Sequence, residues 1–183
     1  MTELPTLTTP RLKLRTVTDR DVDRVFAIFG DRRAMRYWSH DPFPDRAAAE
    51  AYVGKIHQGA EEGTLLQWGV VDPADDVLIG TVTLYEWSRE HHRAGLGYML
   101  DPARWGQGLA REAAGAVVGH GFEALDLHRW EADIHPDNHG SRKVLQRLGF
   151  LPEGRQRERW FVGGEWSDAE LYGLLRSAWE AAR

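Results

Sequence analysis

Residues Arg104-Trp105-Gly106-Gln107-Gly108-Leu109-Ala110-Arg111 set two glycines and two arginines at the start of an apolar helical pattern. That combination suits the holding of a phosphate. The first N–H groups of a helix have no intrahelical partner, and the helix dipole places partial positive charge there. Glycines ahead of the helix let an anion approach the backbone, and Arg104 and Arg111 can add charge-assisted bonds. Two familiar phosphate motifs fail here. The Gly-Lys-Ser/Thr end of a P-loop is missing, and Arg111 stands where a dinucleotide fingerprint needs its third glycine. Taken alone, a glycine-rich turn with a helix cap accounts for the pair equally well.

Other residues could do chemistry. Ser141 falls where a later helix should begin and reads first as an N-cap; Asn138 reads as a turn residue. Glu86 ends an apolar strand, and Glu158, two residues before Trp160, would share its strand face. Each carboxylate taken singly reads as a solvated charge. Of eight tryptophans, Trp130 and Trp179 read as packing, while Trp38, Trp87 and Trp160 fall in connections or strand ends. The histidines form no metal pattern: His91 and His92 are adjacent and would point apart on a strand, and His135 and His139 bracket Pro136. No metal is expected.

The elements that position these groups follow from periodicity. Residues 11–17 alternate as a strand. Thr18-Asp19-Arg20-Asp21 fits a capping box, followed by helical spacing at Val22, Val25, Phe26 and Phe29 with a stop at Gly30. Residues 35–44 form an aromatic, proline-bearing connection, and residues 45–58 a second helix. Strands are expected over 65–71 and 77–87, joined through Asp72-Pro73-Ala74-Asp75-Asp76, then over 93–100 after a polar turn at 88–92. A loop at 101–107 runs into a long helix, 108–125. A strand at 130–134, a loop at 135–140 and a helix at 141–148 closed by Gly149 come next. Strands over 150–162 and 165–175 meet at Gly163-Gly164, and 177–183 reads as a polar tail.

The chain has 183 residues with 42% hydrophobic and 28% charged composition, which fits one globular domain, 1–183. A net charge of −5 demotes nucleic acid as a partner. The absence of cysteine excludes disulfides, thiolate metal sites and a cysteine nucleophile. Residues 1–5 do not resemble a signal peptide and no apolar stretch is long enough to span a bilayer, so the expectation is a cytoplasmic protein without a membrane partner.

In the order of its motifs the chain resembles the GNAT superfamily of N-acetyltransferases, whose Q/R-x-x-G-x-G/A segment binds the pyrophosphate of acetyl-CoA. Gly108 and Ala110 match its last two small positions, while Trp105 stands where the motif has Gln or Arg, with Arg104 one place earlier. That departure is similar to the RimJ/RimL-type branch, which acetylates N-terminal amines of ribosomal proteins and related substrates. So are Thr9-Pro10-Arg11-Leu12, Asn138 with Ser141, Leu148-Gly149-Phe150, and Gly164-Glu165-Trp166 with Asp168, Leu171 and Tyr172. The resemblance implies an α/β (α+β) acyl-CoA N-acyltransferase fold: a mixed, mostly antiparallel sheet with a splayed central strand pair and helices on both faces. Strand 97–100 would part from strand 130–134 and free backbone groups for the pantetheine amides. Gly115, Gly119 and Gly121 would then let the long helix pack close to the sheet.

The resemblance also implies roles. Met99, Leu100, Arg104, Gly106, Gln107, Gly108, Leu109, Ala110, Asn138 and Ser141 would bind acetyl-CoA, with a strand N–H near Leu100 as oxyanion donor. With no cysteine, an amine would attack the thioester directly. Ser141 would be general acid and Glu86 the base; the acid that the branch carries before Phe161 is replaced by Trp160, which leaves Glu158 as the other candidate. Trp38, Trp87, Trp160 and Glu158 would line the acceptor pocket, the aromatic faces holding a cationic amine. The acceptor would be a protein N-terminal α-amine or similar group, and family members are often homodimers. Alternatives are a small-molecule amine or aminoglycoside as acceptor, and a noncatalytic acyl-CoA-binding module.

Overall fold

Strand alternation and helical spacing sort the apolar side chains onto the two faces of one sheet. The computed structural model describes residues 4–182; Met1, Thr2, Glu3 and Arg183, which belong to the expected start and tail, lie outside it. Eight strands are β1 (Leu7–Thr8), β2 (Lys13–Thr16), β3 (Leu66–Val71), β4 (Leu78–Ser88), β5 (Arg93–Leu100), β6 (Arg129–Ile134), β7 (Leu151–Val162) and β8 (Glu165–Leu175), ordered β1-β2-β3-β4-β5-β6-β8-β7. All neighbours are antiparallel except β5 and β6. The helices are α1 (Val22–Phe29), α2 (Arg32–Met35), α3 (Arg46–Glu62), α4 (Leu109–Ala124), α5 (His139–Arg147) and α6 (Arg176–Ala181).

α4 covers one face, where Val117 and Phe122 meet Trp68, Val82, Leu96 and Trp130. α1 and α3 cover the other, where Val25, Phe29, Val53 and Ile56 meet Val71 and Met99. β6 shows the sorting: Trp130, Ala132 and Ile134 are buried under α4, and Arg129, Glu131 and Asp133 alternate with them on the opposite face.

Several boundaries depart from expectation for physical reasons. The strand at 11–17 shortens to β2 because the backbone N–H of Arg11 goes to Glu112 Oε1 instead of a neighbouring strand. The capping box forms, with the Thr18 N–H 2.8 Å from Asp21 Oδ2, but it opens a single 3-10 turn before α1. The connection 35–44 begins inside α2. The second helix runs past residue 58 to Glu62, where Gly63 at φ +68° ends it. α5 starts two residues early, capped by Asn138, whose Oδ1 accepts the Ser141 N–H at 3.0 Å. Ser141 is therefore not the cap. His91 and His92 lie in a turn, not on a strand, and the tail begins as α6, whose Trp179 packs on Phe122.

Only one of the three helix glycines meets the sheet. A Cβ on Gly121 would stand 2.3 Å from the buried Trp130 ring, whereas Gly115 faces Leu148 and Gly119 faces Trp179 at 3.6 Å. Alanine at these two positions should thus act with opposite sign. Gly121→Ala is expected to destabilise by about 1–3 kcal/mol through overpacking, and Gly119→Ala to stabilise by up to about 1 kcal/mol through helix propensity. Urea unfolding of the two variants measures both.

Candidate functional site

The cradle at the start of α4 is built from backbone. Gly106 and Gly108 lie at φ +76° and +77°, a region that side chains resist. A Cβ on Gly106 would meet nothing within 4 Å, and one on Gly108 would meet only Arg11 Nη2 at 3.7 Å, so the approach to the helix start is open. Leu109 is buried and anchors the first turn beside half-buried Ala110. The Thr9-Pro10-Arg11-Leu12 segment explains itself here. Thr9 Oγ1 and the Arg11 N–H donate to Glu112 Oε1 at 2.7 and 2.9 Å, while Arg11 Nε reaches Oε2 at 2.7 Å and Nη1 reaches the Gln107 carbonyl at 2.9 Å. Burial pushes the Glu112 carboxyl upward, but these donors outweigh it and hold it below its ordinary range. An anion in the first turn also suits the helix dipole. Its charge is matched by Arg11, which brings a guanidinium to the cradle. Arg104 lies 3.7 Å from Asp72, and Trp105 donates its indole N–H to the Leu100 carbonyl at 2.8 Å.

That last bond orients the end of β5. A strand residue sends its N–H and C=O to the same side. The Leu100 carbonyl goes to Trp105, while the N–H of the next residue, Asp101, goes back to Ile79 at 2.8 Å. The Leu100 N–H therefore faces away from β4, toward β6. Pairing of β5 with β6 covers only Arg93, Ala94 and Gly95 against Arg129, Trp130 and Glu131. Beyond it β5 keeps β4 and β6 keeps β8, so the two strands part as a V. Met99 points its backbone at β4 and its side chain, 5% exposed, into the α1–α3 core. It supports the strand without facing the opening.

On the α4 face of the V, Tyr98 Oη lies 2.6 Å from Ser141 Oγ and 3.2 Å from the Ser141 carbonyl. Burial pushes the phenol upward more than its bond with Ser141 lowers it, so Tyr98 stays protonated and the pair shares hydroxyl protons. Asn138 sets this geometry through its cap of α5.

On the opposite face stands a cluster of which the sequence reading names only Trp160. Asp133 on β6 accepts from Tyr85 Oη at 3.0 Å and from Trp160 Nε1 at 2.9 Å. Tyr85 reaches it by lying flat across β5, where a Cβ on Gly95 would stand 2.5 Å from its ring. The spacing Gly95-Leu96-Gly97 was the available signal, since glycine inside a strand marks close approach. Burial, followed by the Asp133 charge, pushes the Tyr85 phenol upward.

The expected acceptor residues are only partly brought together. Trp160 joins Asp133, but through its N–H. Trp38 packs edge-on against Phe29 in the α1–α3 core, and Trp87 lies beside Leu125 and Asp126. The protein's own arginines cover two of the aromatic faces, Arg89 over Trp87 at 4.2 Å and Arg159 over Trp160 at 5.1 Å. Glu86 and Glu158 are exposed at φ +49° and +50°, each within an irregularity of its strand pairing. The break between Gln156 and Trp160 removes the alternation by which Glu158 would share the face of Trp160. Among the described residues no group of three His, Asp or Glu is placed to hold a metal.

An open glycine cradle at a helix start, leading to a gap between two parallel strands, fits a long phosphate-bearing thioester with amide groups along its arm. A family model described as an acetyltransferase (GNAT) domain matches residues 11–151. The chain belongs to that family. This acetyltransferase is 31% identical to the uncharacterized N-acetyltransferase YoaA of Bacillus subtilis over 94% of this chain and 97% of the relative. It is 30% identical to the [ribosomal protein uS5]-alanine N-acetyltransferase of Escherichia coli over 97% and 94%. Among solved structures it matches RimJ of Mycobacterium smegmatis in complex with CoA-disulfide, with a TM-score of 0.82 and 25% identity, covering 94% of this chain and 87% of that one. The expected enzyme class, N-acetyltransferase, and the expected fold both hold.

Proposed function

We propose that this acetyltransferase moves the acetyl group of acetyl-CoA to a primary amine, a protein N-terminal α-amine or a small-molecule amine. The observation that carries this is the continuity of the Gly106–Gly108 cradle with the β5–β6 opening. The relative that acts on a ribosomal-protein alanine and the neighbour bound to CoA-disulfide support it. Acetyl-CoA would supply an activated thioester. The chain's own groups then divide the work. Arg11, Arg104 and the first N–H groups of α4 bind phosphate charge, with Gln107, Leu109 and Ala110 as the backbone of that cradle. The Leu100 N–H donates toward developing negative charge on the carbonyl oxygen. Ser141, backed by Tyr98, holds the proton that the departing sulfur takes up. Glu86, at the exposed end of β4, would take the proton released to solvent.

One eight-stranded sheet supports reading 1–183 as one catalytic domain. No described helix is long and apolar enough to cross a membrane; the homodimer of the family is the assembly to test by light scattering.

The chain has no cysteine, so CoA thiol released in a reaction is read against no protein thiol. Wild-type protein given acetyl-CoA and a panel of peptides, polyamines and aminoglycosides should release thiol only when an amine is present. CoA binding with no amine-dependent release would sink the reading in favour of a noncatalytic acyl-CoA-binding module. Ser141→Ala should lower kcat by about 100-fold, the lower range for a lost general acid, with CoA affinity retained in calorimetry.

A further inference from the structure

We propose that Asp133 is the anionic seat for the acceptor amine and selects acceptors that arrive as ammonium ions. This rests on the acetyltransferase reading above. Among the described residues, every other carboxylate that is buried or half-buried has an arginine or lysine within 4 Å. Asp133 has none. Its two partners are neutral donors, the Tyr85 hydroxyl from β4 and the Trp160 indole from β7. They fix the carboxylate without cancelling its charge. An ionised carboxylate offers about four lone-pair sites, so two remain for a donor that carries positive charge. A primary ammonium has three N–H donors and meets that need.

The position fits as well as the charge. Asp133 lies two residues beyond Glu131, the last β6 residue paired with β5, where the V has begun to open. It projects from the face opposite α4, whereas Ser141 and Tyr98 stand on the α4 side. A thioester carried through the opening would have the proton-holding hydroxyls on one side and this carboxylate on the other. Besides Asp133, the charged groups acting on Tyr85 are Glu86, next to it on β4, and Arg159 on β7, and they are of opposite sign. Neither replaces an ammonium at Asp133. Gly95 is the opening through which the Tyr85 ring crosses β5 to reach it.

The test compares two acceptors at pH 7, an alkylamine that is protonated in solution and an acyl hydrazide that is neutral. Asp133→Asn keeps the side-chain size and removes the charge. The ratio of KM for the alkylamine to KM for the hydrazide is expected to rise by about 10-fold or more, the size of a lost charge-assisted bond. The Kd for CoA should be unaltered by calorimetry. Tyr85→Phe, which keeps the carboxylate charge but removes a donor that fixes its orientation, should shift the same ratio in the same direction by about threefold, and guards against a misfolded Asn variant. An unchanged ratio in both variants, with wild-type transfer intact, overturns the proposal, as does an equal loss on both acceptors, which would make Asp133 a shape residue. No transfer by the wild type to any amine would instead remove the acetyltransferase reading on which it stands.

Discussion

Gly108→Val is expected to raise the Kd for CoA by about 100-fold or more while the chain stays folded. Gly108 sits at φ +77° and ψ 4°, capping α4 in the left-handed region, where a β-branched residue is disfavoured by roughly 1–2 kcal/mol. That strain is local and small against the 5–15 kcal/mol that typically stabilises a domain. Binding should suffer far more. The added methyls would occupy the open approach beside Arg11 Nη2, from which a phosphate must reach the first N–H groups of the helix. A helix left standing with its donors covered loses both the contact and the dipole, and 100-fold in Kd corresponds to about 2.7 kcal/mol. Titration calorimetry with CoA, beside a thermal melt, separates the effects. A folded variant that binds CoA as wild type does would show that the cradle is a structural turn.

The cradle was legible because its signal is local. Gly106, Gly108 and the start of the apolar pattern after them are adjacent in the chain, and both glycines take positive φ. The succession of strands and helices along the chain followed from alternation and turn residues, with β5 and β8 read at their observed bounds. What the sequence hides is anything that depends on one strand crossing another. Tyr85, Asp133 and Trp160 lie on three strands, and nothing in the spacing of residues 85, 133 and 160 says that they meet. Glu158 fails for a related reason. Strict alternation through Arg157, Glu158 and Arg159 would put Glu158 on the face of Trp160, but these three residues face a single residue, Asp168, on β8, so the face is lost in a bulge. Ser141 shows the same limit at a helix start: by residue type and place it reads as the cap and Asn138 as a turn residue, and only the fold shows that Asn138 takes the position and leaves the serine hydroxyl for Tyr98.

Asp21→Asn is expected to cost about 3–5 kcal/mol of stability at neutral pH, the usual penalty for breaking a buried ion pair from one side. Arg15 and Asp21 are 8% and 5% exposed and meet through two bonds of 2.8 and 2.9 Å. All five guanidinium N–H groups are accounted for: the others go to the Thr16 carbonyl, the Asp76 carboxylate and the Asp76 carbonyl. An amide at position 21 would turn an N–H toward a guanidinium that has no acceptor capacity. At about 2–4 °C per kcal/mol for a chain of this size, the melting temperature should fall by roughly 10 °C. The pH dependence follows from the same contacts. Burial pushes the Asp21 carboxyl upward, but the bonds from Arg15 and Thr18 outweigh it and the net direction is down. A carboxyl whose folded pKa lies below its unfolded value, about 3.9, contributes fully above that value and loses the contribution as pH falls through the folded pKa. The gap between wild type and Asp21→Asn should therefore be widest near neutrality and narrow below about pH 4. Urea unfolding at pH 7 and pH 3 measures it, and a gap of equal size at both would refute the assignment. Arg15→Met with Asp21→Leu should recover much of the loss, because the two charges leave the interior together. The pair joins β2, the start of α1 and the turn before β4. It touches neither the cradle nor the V, so below its melting temperature Asp21→Asn should bind CoA as the wild type does.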